Sequence, residues 1–426
     1  MKIKHLSFIL LLLIVASCNT ATVDSSSDSG NSPIHPRVVW TENPAGHAII
    51  SWTTPGNSAI NQVHYDTVKG SDLRSEYSFQ AKAVRNGKVT MKSMDFTEGV
   101  PEGYFHHAEL HGLKANTTYY FILESDGNHS DEYHFITAPD DDRPVKLIAG
   151  GDSRLGTEKP RYAGRTPHRD RQEINKMIAR QIEKDPEILA LVHGADFCTT
   201  ADWRHLYWWF EDFAYTYTSN GRILPILVSM GNHDLQIGFF ENFFLGDEIN
   251  DIAFSYYYTS KITPEIALIT LNTEIALTGD QYYWLEEQLE MHRPEVRWLL
   301  VNYHKPAYPA TKDPESYHFK RVREAWVPLF EKHNIDLAIE SDGHTLKRTV
   351  PIRNGKMDTT GITYIGEGGL GAPLRDPDTS RWFIQKPGFA ASAYHIWKMS
   401  ITPRSMLLEA IGLNDSVIDS HLINKN

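Results

Sequence analysis

From Val145 onward, short apolar runs alternate with amphipathic stretches, and this alternation constrains the fold more than any other feature. Val145-Lys-Leu-Ile-Ala, Ile188-Leu-Ala-Leu-Val192 and Ile223-Leu-Pro-Ile-Leu-Val228 read as buried strands, as do 265–271, 297–303, 335–340 and 362–365. Ile174, Met177, Ile178 and Ile182 share one helical face. Further helices are expected in the aromatic stretch near 203–215, at 280–291 with Thr278 as cap, and near 318–332. Strands alternating with helices indicate an α/β domain. The end, 394–423, adds two or three strands. Residues 34–139 have a different texture of short alternating stretches such as Ala48-Ile-Ile-Ser-Trp52 and Tyr119-Tyr-Phe-Ile-Leu123. Asn86-Gly87 and Asp126-Gly127 read as hairpin turns there, so this part is expected to form an all-β sandwich. Pro139-Asp-Asp-Asp-Arg-Pro144 reads as the linker to the catalytic-sized domain, 145–426.

A length of 426 residues is too great for one small domain. The 54 acidic residues outnumber the 42 basic ones, a balance that disfavours a nucleic-acid scaffold. The 2 cysteines, Cys18 and Cys198, exclude a disulfide framework and a cysteine-rich metal cluster. At the front, Lys2 and Lys4 precede the apolar stretch Leu6–Ala16, which is shorter than the roughly 20 residues a membrane helix needs. Residues 1–17 therefore read as a secretory signal. Val15-Ala16-Ser17-Cys18 resembles the lipobox of bacterial lipoproteins, which implies lipidation of Cys18 and anchoring in the bacterial cell envelope. An ordinary signal with an incidental cysteine is the alternative. Residues 18–33, rich in Ser and Asp, read as a flexible tether.

In α/β domains, ligands collect where strands end and loops begin. The residues just past the strand candidates are Asp152, Asp196, Asn232-His233-Asp234, His304 and Asp342-Gly-His344. A single aspartate in such a place is usually a turn or a helix cap. Carboxylate, amide oxygen and imidazole recurring at successive strand ends suit a hard or borderline divalent metal.

Gly151-Asp152, Gly194-Ala-Asp196, Gly231-Asn232-His233-Asp234, His304 in Val301-Asn-Tyr-His304-Lys-Pro-Ala and the segment 341–349 resemble the calcineurin-like metallophosphoesterases. The closest match among them is the purple acid phosphatases. Gln281-Tyr-Tyr-Trp284-Leu285-Glu286 looks like that group's helix, and Leu113–Tyr119 resembles the tyrosine-corner segment of fibronectin type III domains. The resemblance implies a metallophosphatase-type β-sandwich flanked by helices, preceded by a fibronectin type III-like sandwich. It also implies two divalent or trivalent metal ions (Fe, Zn or Mn) and a phosphate ester substrate hydrolysed by in-line attack of an activated water. Asp152 then binds the first metal, Asp196 bridges both, and Asn232 and His304 bind the second. His233 contacts the substrate phosphate, and Asp202 orients His233.

Three departures stand out. With Arg348-Thr349 as ungapped anchor, Ser341 takes a glycine's place, Asp342 replaces a second-metal histidine, and His344 remains a first-metal ligand. Starting the motif at Gly343-His344 instead would leave Leu346 where a ligand belongs. No tyrosine follows Asp196, so the purple colour is not expected; the nearby Cys198 reads as a small buried residue. Arg154 stands where histidine or glycine is common: it binds phosphate, replaces the first metal, or forms a surface ion pair. The aromatic run Trp203–Phe213 lines a cleft or, more simply, the core, and Gly366–Gly371 reads as a flexible turn near the site. These departures keep a second reading open, a catalytically impaired surface lipoprotein that binds a glycan or protein partner. The sequence does not give the oligomeric state.

Overall fold

The structure is a computed structural model that describes residues 31–41, 43–70, 77–89, 101–155, 168–235, 244 and 256–425. The signal stretch, Cys18 and most of the expected tether lie outside the described residues. Among those described, no helix is long and apolar enough to cross a membrane.

The N-terminal part contains β1 (Ile34–Val39), β2 (His47–Thr54), β3 (Asn61–Asp66), β4 (Phe79–Lys82), β5 (Arg85–Lys88), β6 (Tyr104–His111), β7 (Thr118–Ser125), β8 (Asn128–His129) and β9 (Tyr133–Ile136). One layer runs β1-β2-β6-β5 and the other β4-β3-β7-β8, with β9 on β7. Asp126 and Gly127 both have positive φ and join β7 to β8, the conformation a tight hairpin needs. Asn86-Gly87, expected as a turn, instead lies inside β5, where a Cβ on Gly87 would strike the Phe105 ring 2.6 Å away. The Lys114 N–H donates to the Tyr119 hydroxyl across 2.9 Å, tying the approach to β7.

The rest of the chain supplies β10 (Val145–Gly150), α1 (Arg169–Lys184), β11 (Ile188–His193), α2 (Trp203–Phe213), β12 (Ile226–Val228), β13 (Tyr258–Thr263), β14 (Ile266–Thr270), α3 (Asp280–His292), β15 (Trp298–Asn302), α4 (Tyr317–Ala325), α5 (Val327–Lys332), β16 (Leu337–Ile339), β17 (Leu346–Arg348), the hairpin β18 (Ile352–Arg353) and β19 (Lys356–Met357), β20 (Thr363–Gly366), β21 (Phe389–Ala391), β22 (His395–Ile401), β23 (Ser405–Gly412) and β24 (Val417–Asn424). The helix expected near 318–332 is two, because Pro328 has no N–H for the preceding turn and the break falls at Trp326. Pro225 shortens β12 in the same way, and α3 starts after Gly279 at φ 79°, with no side-chain cap from Thr278.

Two sheets face each other. The order β13-β14-β15-β16-β20-β17-β21 forms one. In β15, Trp298 and Leu300 join the core between the sheets, while Leu299 and Val301 pack outward with Leu285, Leu289, Val322 and Phe330 of α3–α5 and with Trp326 at the break between α4 and α5. Strands buried on both faces explain the unbroken apolar runs. The other sheet runs β24-β23-β22-β10-β11-β12-β1-β2-β6-β5. It crosses the 139–144 linker: β1 pairs parallel with β12 at Val39 and Ile226, and Trp40 N–H donates to Ile226 O across 3.1 Å. Strands from both sides of the linker therefore share one sheet and one core.

Candidate metal centre

The loops leaving β10, β11, β12, β15 and β16 converge, and each takes a conformation that aims a side chain inward. Asp152, Ala195, Asp196, Asp342 and His344 all have φ between 54° and 78°, a left-handed conformation that costs a non-glycine residue free energy and that bends the loops after β10, β11 and β16 sharply where they meet. Glycines leave room for this. A Cβ on Gly194 would collide with Ser341 Oγ, one on Gly231 with Asp196 Oδ1, and one on Gly368 with Asp152 Oδ2. The Asp342 N–H donates to Asp152 Oδ2 across 2.8 Å, and the His233 N–H donates to Asp196 Oδ1 across 3.1 Å.

His344 Nε2 lies 3.2 Å from Asp152 Oδ1, and His304 Nε2 lies 3.3 Å from Asp196 Oδ1 and 3.8 Å from Asp342 Oδ1. The far ring nitrogens face carbonyls: His304 Nδ1 is 2.9 Å from Gly194 O, and His344 Nδ1 is 3.0 Å from Pro373 O. A carbonyl only accepts, so each Nδ1 carries the hydrogen and each Nε2 can present its lone pair to the carboxylates. Ligand atoms of Asp152, Asp196 and His344 lie within 4.8 Å of one another. Asp152 Oδ1, His304 Nε2 and Asp342 Oδ2 are buried without a hydrogen-bond partner. Buried polar atoms in this state require a partner that the protein does not supply, and their donor set fits divalent cations. The electrostatics agree. Burial pushes the His304 imidazole down, but Asp196, Asp152 and Asp342 outweigh it and raise it to about 9. Burial pushes Asp152 up, yet His344, His304 and Arg154 hold it well below the carboxylate range.

The remaining expected residues lie around this cluster. Asn232 is exposed between Gly231 and His233, both of which touch Asp196. His233 Nε2 is 4.0 Å from Asp196 Oδ2, and its Nδ1 donates to Thr199 O at 2.8 Å. The expectation that Asp202 orients His233 is corrected: Asp202 accepts from the His205 N–H at 2.9 Å and caps α2. The Thr199 carbonyl orients the ring instead. Arg154 is no surface residue; its side chain is 13% exposed and its Nε is 3.5 Å from Asp196 Oδ2. The aromatic run is mainly core, with Trp209, Phe210 and Phe213 buried, and Cys198 is buried as well. The segment 366–371 is a buried brace: Leu370 N–H donates to Gly151 O at 3.0 Å and Ala372 N–H to Asp152 O at 2.8 Å.

Three residues that sequence reasoning gave no role complete the site. Asp234 accepts from the N–H groups of Asp196 (2.8 Å), Phe197 (3.0 Å) and Gly231 (3.2 Å), clamping the β11 loop to the β12 loop. Its place inside Gly-Asn-His-Asp was the only signal. Lys312 Nζ lies 2.6 Å from Asp342 Oδ1. Lys347, fully buried, is held between Glu340 and Glu367 behind the 340–344 loop. Burial pushes Glu367 up to about 7 against the opposing Lys347 charge.

Residues 33–137 match the family described as purple acid phosphatase, N-terminal domain, and residues 167–348 match calcineurin-like phosphoesterase. Purple acid phosphatase 21 of Arabidopsis thaliana is 26% identical over 343 residues, covering 72% of this chain and 71% of its own. Purple acid phosphatase 18 of the same plant is 23% identical over 355 residues, covering 79% and 72%. A purple acid phosphatase from yellow lupin seeds superposes with a TM-score of 0.73 at 18% identity, over 92% of this chain and 74% of its own.

Proposed function

We propose that this chain, whose residues 167–348 match the calcineurin-like phosphoesterases and 33–137 the purple acid phosphatase N-terminal domain, hydrolyses phosphate esters in the following way. Members of the family use a dinuclear metal centre. Here Asp152, Asp196 and His344 would hold one ion, and Asp196, Asn232, His304 and Asp342 the other. Such ions polarise phosphoryl oxygens and lower the pKa of water.

The chain's own residues do the rest. The Thr199 carbonyl accepts from Nδ1 and fixes the His233 ring with Nε2 toward the site, so that in its imidazolium form Nε2–H donates to the phosphate or passes its proton to the leaving oxygen, and Nδ1 keeps its hydrogen. Arg154, beside Asp196, offers guanidinium N–H groups to a phosphoryl oxygen. Lys312 offsets the extra negative charge that Asp342 brings in place of an imidazole. The observation that carries this reading is the buried set of carboxylate oxygens and imidazole Nε2 atoms, their far nitrogens tied off by carbonyls.

The test is turnover of aryl phosphate mono- and diesters by protein loaded with zinc, manganese or iron. Activity with at least one metal is expected, and Asp196→Asn should abolish it. No turnover with any of them would overturn the reading. Protein that binds no ion at this centre would favour the glycan- or protein-binding surface lipoprotein instead. For the front of the chain we propose lipidation of Cys18 and anchoring in the bacterial envelope, supported by the basic start, the short apolar stretch and the small residues before the cysteine. Full-length protein should enter the detergent phase on phase separation, and Cys18→Ser should remain in the aqueous phase.

A further inference from the structure

Far along the sequence from the catalytic loops, the β2–β6 ladder brings together a second set of donors. His47 and His111 are direct cross-strand partners. Glu109 precedes His111 by two residues, so strand alternation sets it on the same face. His111 Nε2 lies 3.1 Å and His47 Nε2 3.7 Å from the same oxygen, Glu109 Oε2. The two rings stack with centroids 4.6 Å apart at 24°. One ligand atom from each of the three residues falls within 4.8 Å of the others.

Both Nε2 atoms turn toward one carboxylate oxygen. A single proton on one ring would balance that carboxylate and use one imidazole; a bound cation balances it and uses both. Tetrahedral zinc with bonds of about 2.0–2.2 Å sets its ligand atoms about 3.3–3.6 Å apart, and the two separations from Glu109 Oε2 straddle that range. We propose that His47, Glu109 and His111 form a binding site for a zinc-class divalent ion, distinct from the phosphoesterase centre. Two nitrogens and one oxygen favour zinc or copper over calcium and magnesium, which seek all-oxygen shells. Side-chain exposure rises from 19% at His47 to 28% at Glu109 and 68% at His111, which leaves a fourth position for water and an open path for exchange. The hydrogen-bonded ladder already holds the ligands together, so binding requires little reordering.

The test uses the full chain, stripped with chelator and titrated with zinc at pH 7.5. Native protein is expected to bind one more ion per chain than His111→Ala or Glu109→Gln, and each variant should lose more than about 100-fold in affinity at that site. His111 is exposed, so its variant should fold, with phosphoesterase turnover unchanged. Cobalt added to native protein should give a visible tetrahedral band that weakens in both variants. Equal zinc stoichiometry and equal cobalt spectra in native and both variants would overturn the proposal. Because it uses none of the catalytic loops, that failure would leave the phosphoesterase reading standing.

Discussion

His233 and Asp202 stand close in sequence to the motif aspartates but differ in what they touch. His233 reaches the cluster with Nε2 while Thr199 fixes its other nitrogen; Asp202 spends its carboxylate on a helix start. His233→Ala is therefore expected to lower kcat by roughly 100- to 10,000-fold. Asp202→Ala should cost about 1 kcal/mol of stability with turnover per folded molecule unchanged. Steady-state kinetics beside urea unfolding separates the two, and equal kinetic losses would return Asp202 to the site. The clustered carboxylates and imidazoles were legible in sequence because each lies within a few residues of the end of an apolar run. Lys312 was not, because it lies in an irregular stretch before α4, and only the folded path of that stretch carries its ammonium to Asp342.

At the scale of elements, Asp234 joins the loops after β11 and β12 through three backbone N–H groups. Burial and the neighbouring Asp196 push its carboxyl upward, and the N–H donors oppose them. Asp234→Asn would turn an NH2 group toward buried N–H donors and should cost about 2–3 kcal/mol. The Tm should fall, and metal affinity with it, because Asp196 loses its anchor; an unchanged Tm would show that the loops hold without the clamp. Strands β14, β15 and β16 were readable because burial on both faces leaves continuous apolar runs. Gly87 misled because glycine serves two needs. In β5 it gives space to an aromatic ring, not a positive φ. The split between α4 and α5 was signalled by Pro328 but masked by the apolar residues continuing on either side.

Across the whole molecule, three buried histidines weaken the fold in acid, while His304, raised to about 9 by the carboxylates around it, acts in the opposite sense. Burial lowers His106 to about 3, His193 to about 3 and His395 to about 4. The unfolded chain takes up protons at these rings below about 6.5, and the folded one does not. Their contribution to stability is thus complete above that pH and is lost as pH falls toward 4, by up to about 1.4 kcal/mol per pH unit for each ring. Urea midpoints measured at pH 7.5, 6 and 5 should decline steadily; a flat series would mean the rings are hydrated in the native state. The joining of β1 to β12 was not legible, since a parallel pairing between residues so far apart leaves no local pattern.

That junction has a mechanical consequence. A load applied at the start of β1 would run along the strand, with β2 on one side and β12 on the other. Cross-strand bonds loaded in that direction must yield together in shear instead of peeling one at a time. A pull on the front of the chain would thus meet the ladder in its stiff direction before it could disturb the loops that hold Asp196 and His233.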